Sequence, residues 1–185
     1  MADDLTQELL TWVRGHFFGK YRGTVSDNSD PARKGRLKVK VPAVLQDVEV
    51  WAMPCAPYAG KGVGFYSLPE SGAGVWVEFE AGDPSFPIWS GCFWADGELP
   101  DTGGAAIKIW KTEKVTLRID DDNDELKLST TGESTVTLGD DIVSEKSGAK
   151  VTIGASGVVS DSGGTGKVEV SQSGVNIDSG ALQAM

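Results

Sequence analysis

After Trp110 the chain contains no aromatic residue, yet it is not featureless. Short apolar groups stand at Val115/Leu117/Ile119, Leu126/Leu128, Val136/Leu138, Ile142, Val151/Ile153, Val158, Val168/Val170 and Val175/Ile177. From Leu126 they begin at positions 126, 136, 142, 151, 158, 168 and 175, so every second group lies 15–17 residues further on. VTLG at 136–139 and VTIG at 151–154 are near copies. Alternation of apolar and polar residues within each group, with Gly, Asp and Ser between groups, predicts short strands joined by tight turns. Two strands make a rung of about sixteen residues, which describes a β-solenoid.

The size of these side chains bears on how such a tail closes. Each strand offers only about two inward β-branched or Leu side chains, too few to fill a wide single-chain solenoid. Three chains around one axis can share a narrow core built from them, so a homotrimeric needle is expected, with a lone capped solenoid as the alternative. The side chains expected to point into the shared axis are Val136, Leu138, Val151, Ile153, Val168, Val170, Val175 and Ile177. Glu169, between two of them, is expected to face out.

The rest of the chain is of another kind. Residues 1–18 carry the only helical pattern, with Leu5, Leu9, Trp12 and His16 or Phe17 on one stripe and Gly15 and Gly19 marking the end. That stripe needs a surface, on its own domain or on a partner. Residues 19–95 read as strands with Gly/Pro punctuation: KYRGTVSD, GRLKVKVPAVL, VEVWAMPCAPYAG, GVGFYSLP, GAGVWVEFEAGD and FPIWSGCFW. Leu37, Val39 and Val41 alternate with Arg36, Lys38 and Lys40, and Val75, Val77 and Phe79 alternate with Trp76, Glu78 and Glu80. Several short strands over about 80 residues fit an OB-type barrel. Residues 96–106, Gly/Pro/acid rich, form a linker, and 107–185 form the repetitive tail. The fold class is therefore all-β, with a short N-terminal helix and an OB-fold barrel ahead of the tail.

Charge and residue counts remove several chemistries. With 17 Lys and Arg against 27 Asp and Glu, the net charge of −10 repels phosphate backbones. No apolar run approaches the ~18 residues of a membrane span, and the acidic start, MADDLTQELL, lacks the basic region of a secretory signal. His16 is the sole histidine, so no histidine-based catalytic set or metal site is expected. Cys55 and Cys92 lie in apolar runs and are expected to be buried small hydrophobes, with a disulfide as the minority case. IDDDNDELKL at 119–128 lacks the glycine and bidentate acid of a calcium loop and reads as a hairpin turn. SGGTGKV at 162–168 and YAGKGVG at 58–64 each miss the spacing of a nucleotide loop. Dispersed acids without aromatics weaken a glycan-degrading solenoid enzyme. Arg33, Lys34, Arg36, Lys38 and Lys40 are the only basic concentration. They fit a salt-bridged subunit contact better than a single-stranded nucleic-acid module, which stays as the alternative.

The blocks FGKYRGTVSDNSDPARKGRLKVKVPAVL (18–45) and WAMPCAPYAGKGVGFYSLPESGAGVWVEFEAGDPSFPIWSGCFW (51–94), with the periodic tail, resemble the baseplate spike family. That family includes baseplate assembly protein V of contractile phages and the spikes of phage-like extracellular injection systems. The spike parts of type VI secretion valine-glycine repeat proteins are similar. The resemblance covers about residues 18–180 and is most specific from Pro69 to Trp94. It implies an OB-fold followed by an intertwined triple-stranded β-helix, assembled as a homotrimer beneath a trimeric baseplate hub. Leu9, Trp12 and Phe17 become candidate hub contacts, a PAAR-type tip protein a candidate partner at the C-terminal end, and the target membrane the surface met on firing. No nucleic acid, metal, cofactor or enzymatic activity is implied. The implied location is a virion tail baseplate or extracellular injection particle, assembled in the bacterial cytoplasm. The short linker leaves no room for the lysozyme domain some relatives carry, and no histidine follows His16 to form the iron-binding HxH tip of others.

Overall fold

The computed structural model describes residues 2–102, 104–178 and 182–184, in two units, 1–99 and 100–185. In the first unit, helix α1 (Ala2–Gly15) precedes strands β1 (Tyr21–Asp27) and β2 (Leu37–Lys40), the short helix α2 (Pro42–Leu45) and strand β3 (Glu49–Pro54). A two-stranded hairpin of β4 (Ala59–Gly60) and β5 (Val63–Gly64) follows, then β6 (Gly74–Phe79) and β7 (Pro87–Phe93). Five strands close a barrel in the order β1-β2-β3-β7-β6, antiparallel except where β3 runs parallel to β7. This is an OB-like arrangement, and closure leaves no free sheet edge.

The alternation read in the sequence is the barrel core. Leu37, Val39, Val41, Val75 and Val77 are fully buried, with Val25, Ala52, Phe79 and Trp89 around them. Trp89 keeps its indole N–H satisfied by donating to the carbonyl of Gly35 at 3.2 Å. Several strands are shorter than their sequence pattern. Pro42 has no N–H for the sheet ladder, so β2 stops at Lys40 and the chain turns through α2. GVGFYSLP gives only the two residues of β5, and Phe65 and Tyr66 are left exposed.

Helix α1 ends at Gly15 rather than Phe18, and Phe17 leaves the helical stripe. Its N–H donates to Gly82 O at 2.7 Å and its ring packs against Tyr21 and Phe79 on the barrel core. Phe18 lies over Gly82, where φ is +82° and an added Cβ would sit 2.9 Å from the ring. The chain thus leaves the helix by driving one aromatic into the barrel and laying the next across a glycine.

The β1–β2 loop is held by one side chain. The Asp30 carboxylate accepts from Arg36 Nε and Nη2 (3.1 and 2.8 Å) and from the backbone N–H groups of Ala32, Lys34 and Arg36. It is almost entirely covered, and the Arg36 guanidinium also lies 5.3 Å from the Trp51 ring.

The second unit is one antiparallel sheet of ten strands, β8 (Ile107–Lys111), β9 (Val115–Asp120), β10 (Glu125–Thr130), β11 (Ser134–Leu138), β12 (Ile142–Lys146), β13 (Ala149–Gly154), β14 (Gly157–Asp161), β15 (Lys167–Ser171), β16 (Gly174–Ile177) and β17 (Leu182–Ala184). Each strand pairs with its neighbours in sequence, a meander throughout. The sixteen-residue unit is therefore a hairpin: within one chain the strands zigzag in a single layer instead of winding into solenoid coils. At Gly157 φ is +136°, and an added Cβ would collide with the Val170 carbonyl oxygen.

Two outcomes are expected. Gly157→Ala should cost at least about 2 kcal/mol, read as a lowered midpoint in urea, because strain and collision act together. The hydrogen bonds from Arg36, then those from the backbone, hold the Asp30 carboxyl well below its usual 3.8. A depressed carboxyl contributes stability that is complete above the unfolded value and drains away as pH falls toward the folded one. The Tm gap between the parent protein and Asp30→Asn should accordingly be constant at neutral pH and close progressively below about pH 4.

Candidate assembly surfaces

Residues directly opposite one another in an antiparallel pair lie on the same side of the sheet. Following the register strand by strand gives two apolar columns on one face. The first runs Leu117, Leu128, Val136, Ser144, Val151, Ser160, Val168, Ile177. The second runs Ile119, Leu126, Leu138, Ile142, Ile153, Val158, Val170, Val175. All eight residues expected to share an axis are on this face. On the other face the matching column is Arg118, Lys127, Thr137, Val143, Thr152, Val159, Glu169, Asn176. There Glu169 pairs with Lys167 at 2.5 Å and accepts from Asn176 at 3.4 Å.

Among the described residues of the unit nothing covers the apolar face. Ile153 is 48% exposed, Val170 46% and Leu138 43%. Completing the burial of such side chains contributes roughly 1 kcal/mol apiece, and a continuous apolar patch of this extent marks an interaction surface.

A second uncovered stripe lies on α1, where Leu5, Leu9 and Trp12 are exposed. Trp12 stacks on His16 at 4.1 Å between centroids, and the His16 ring Nδ1 is 2.7 Å from Trp12 O. Of the three candidate hub residues, Leu9 and Trp12 remain available, whereas Phe17 is taken by the barrel.

The charge of the basic strand is partly offset within the chain. Lys38 and Lys40 both reach Glu49, at 3.3 and 3.2 Å, and Arg36 is committed to Asp30. Within the chain these cations already make ion pairs. Glu49 is two strand-residues away in register but eleven in sequence from Lys38, so no local spacing announces it.

The loops singled out in the sequence are turns. Asp120, buried, accepts from Asn123 Nδ2, Arg118 Nη1 and the backbone N–H groups of Asp122 and Asn123, which depresses its carboxyl pKa, Asn123 contributing most. In SGGTGKV, Ser162 N–H closes on Gly166 O at 2.9 Å, and YAGKGVG is the β4–β5 hairpin. Cys55 and Cys92 are exposed and unpaired, contrary to the burial expected of them. A bulge between Val75 and Val77 shifts the β6–β7 register, so that Cys92 lies opposite Val75 near the end of β7, where it is exposed all the same. Among the described residues no His, Cys, Asp or Glu group is arranged to hold a metal ion, and no helix is long and apolar enough to cross a membrane.

Residues 21–94 match the model of the type VI secretion system/phage-baseplate injector OB domain. The chain carries the injector OB domain of the baseplate spike family. The match spans the closed barrel from the first residue of β1 to one residue past β7. A comparison with curated proteins finds no match. The matched domain supports a spike-related structural role in a phage baseplate or type VI secretion machine, and a place in the tail of a virion or injection particle.

Because Glu49 and Asp30 offset much of the charge of the basic strand in a chain of net charge −10, the injector domain should bind single-stranded DNA no better than micromolar at moderate salt, measured by fluorescence anisotropy. Tight, salt-sensitive binding that disappears on neutralising Lys38 and Lys40 would restore the nucleic-acid alternative.

Proposed function

We propose that this chain is the central spike of a contractile injection machine or phage tail, working as a homotrimer. Three copies bring their apolar sheet faces together on one axis, and the resulting needle stands below a trimeric hub at the tip of the inner tube. What carries the reading is the pair of uncovered columns through Val151 and Ile153, in a chain whose barrel is an injector domain. A sheet bare on one side is not a stable end state in water, and small β-branched residues suit a narrow threefold core.

In this role the chain bears load and needs no catalytic group. Sheath contraction drives the tube and its spike through the target envelope. Backbone hydrogen bonds between strands and a dry shared core resist that load. The exposed stripe of Leu9 and Trp12 on α1 meets the hub, and a PAAR-type protein sharpens the C-terminal end. The target membrane is contacted on firing, and no nucleic acid or cofactor takes part.

Light scattering should give about 58.5 kDa, three times the chain mass of 19.5 kDa. A fully folded 19.5 kDa monomer would overturn the proposal. Val168→Asp would gather three carboxylates in an apolar core at a cost of several kcal/mol and should abolish the trimer. Glu169→Gln, on the opposite face, should lower stability by no more than about 0.5 kcal/mol in thermal melts. Equal stability of the two variants would show that the face does not pack.

A further inference from the structure

A meander sends its turns alternately to two lateral edges, and in this sheet the two edges differ in charge. One edge carries the turns at 121–124, 139–141, 155–156 and 172–173. Its charged turn residues are Asp121, Asp122, Asp124, Asp140 and Asp141, all acidic, and among the described residues Asp121 forms an ion pair with Lys108. The opposite edge carries the turns at 112–114, 131–133, 147–148 and 162–166. There the turns hold Lys114 with Glu113 and Glu133, and the strand ends beside them add Lys111, Lys146 and Lys167 against Asp161, so that four lysines stand among three acids. Lys146 is fixed at that edge, its Nζ donating to Gly132 O at 2.5 Å, and an ammonium so held still has two donors to offer.

We propose that these edges are complementary seams, the acidic edge of one copy seating against the lysine-bearing edge of the next. The proposal rests on the threefold reading above and says how its copies meet. When three identical sheets face one axis, cyclic symmetry makes every contact head-to-tail, so an edge always meets the other kind of edge and never its own. The acidic turns follow β9 and β11, the lysines flank the turns after β8 and β12, and Lys146 reaches across to the turn after β10 through Gly132 O. Opposite turns are thus offset by one strand, about 4.8 Å, and each acidic turn falls level with the gap between two basic positions. The charge contrast fixes the order of the copies around the axis and their height, which two columns of near-identical Val, Ile and Leu leave poorly specified.

The test uses the full chain, with trimer mass and Tm followed from low salt to about 1 M. Lys114→Glu with Lys146→Glu should raise the trimer dissociation constant at least about tenfold at low salt. Adding Asp122→Lys and Asp140→Lys to that variant should restore most of the loss. Lys114→Gln with Lys146→Gln, which introduces no repulsion, should keep the trimer but flatten the salt dependence of its Tm, and this variant decides the matter if the reversals do not fold. A trimer indifferent to reversal and to salt, or one that the compensating pair fails to rescue, overturns the seam and leaves the spike reading intact. A parent protein that is not a trimer overturns both.

Discussion

A single-layer antiparallel sheet has two faces, and only a polar one can be left to water. Here the meander sets two mainly Val, Ile and Leu columns on one face and a mainly polar column, with Val143 and Val159, on the other, and among the described residues of the unit there is no second layer. Everything proposed for the tail follows from that imbalance. The serines at 144 and 160 interrupt one column, so the face is not uniformly apolar. A hydroxyl shared by three copies at one level can be satisfied by its neighbours, a milder cost than a charge at the same place.

The barrel answers the same problem alone. Its five strands curl until the first meets the last, and Leu37, Val39, Val41, Val75 and Val77 lose all contact with solvent. The two units therefore differ in what they need: the barrel brings its own core, whereas the meander borrows one. Helix α1 stands between these cases. Its C-terminal end is tied to the barrel by Phe17 and Gly82, yet Leu5 and Leu9 are exposed, and an isolated helix of fourteen residues is marginal in water.

Much of this was legible in the sequence because it depends on period. Alternation picked out the inward residues of β2 and β6, and the repeat from Leu126 onward put the apolar groups of β10 to β16 on one side of the sheet. What was not legible depends on partners distant in sequence. Glu49 meets Lys38 and Lys40 only because β2 and β3 pair in that register, and the bulge that sets Cys92 opposite Val75 near the end of β7 has no mark in its apolar neighbours. The reading of coils in place of hairpins has a related cause. A sixteen-residue period is satisfied equally by one turn of a solenoid and by two antiparallel strands, and only the hydrogen bonding distinguishes them. Phe17 was misplaced because the helical stripe continues through it, while Gly15 ends the helix two residues earlier.

The order of the ten strands has a kinetic consequence. Every strand pairs with the one before it, so nearly all contacts in the tail are local and the loops to be closed are a few residues long. Chains of such low contact order form their pairings quickly, hairpin by hairpin, as each segment becomes available. If copies must meet to cover the apolar face, the slow event in maturation is encounter between chains rather than search within one. The rate at which the folded tail appears would then rise steeply with protein concentration, and the interval before encounter would be when its bare face is most open to aggregation.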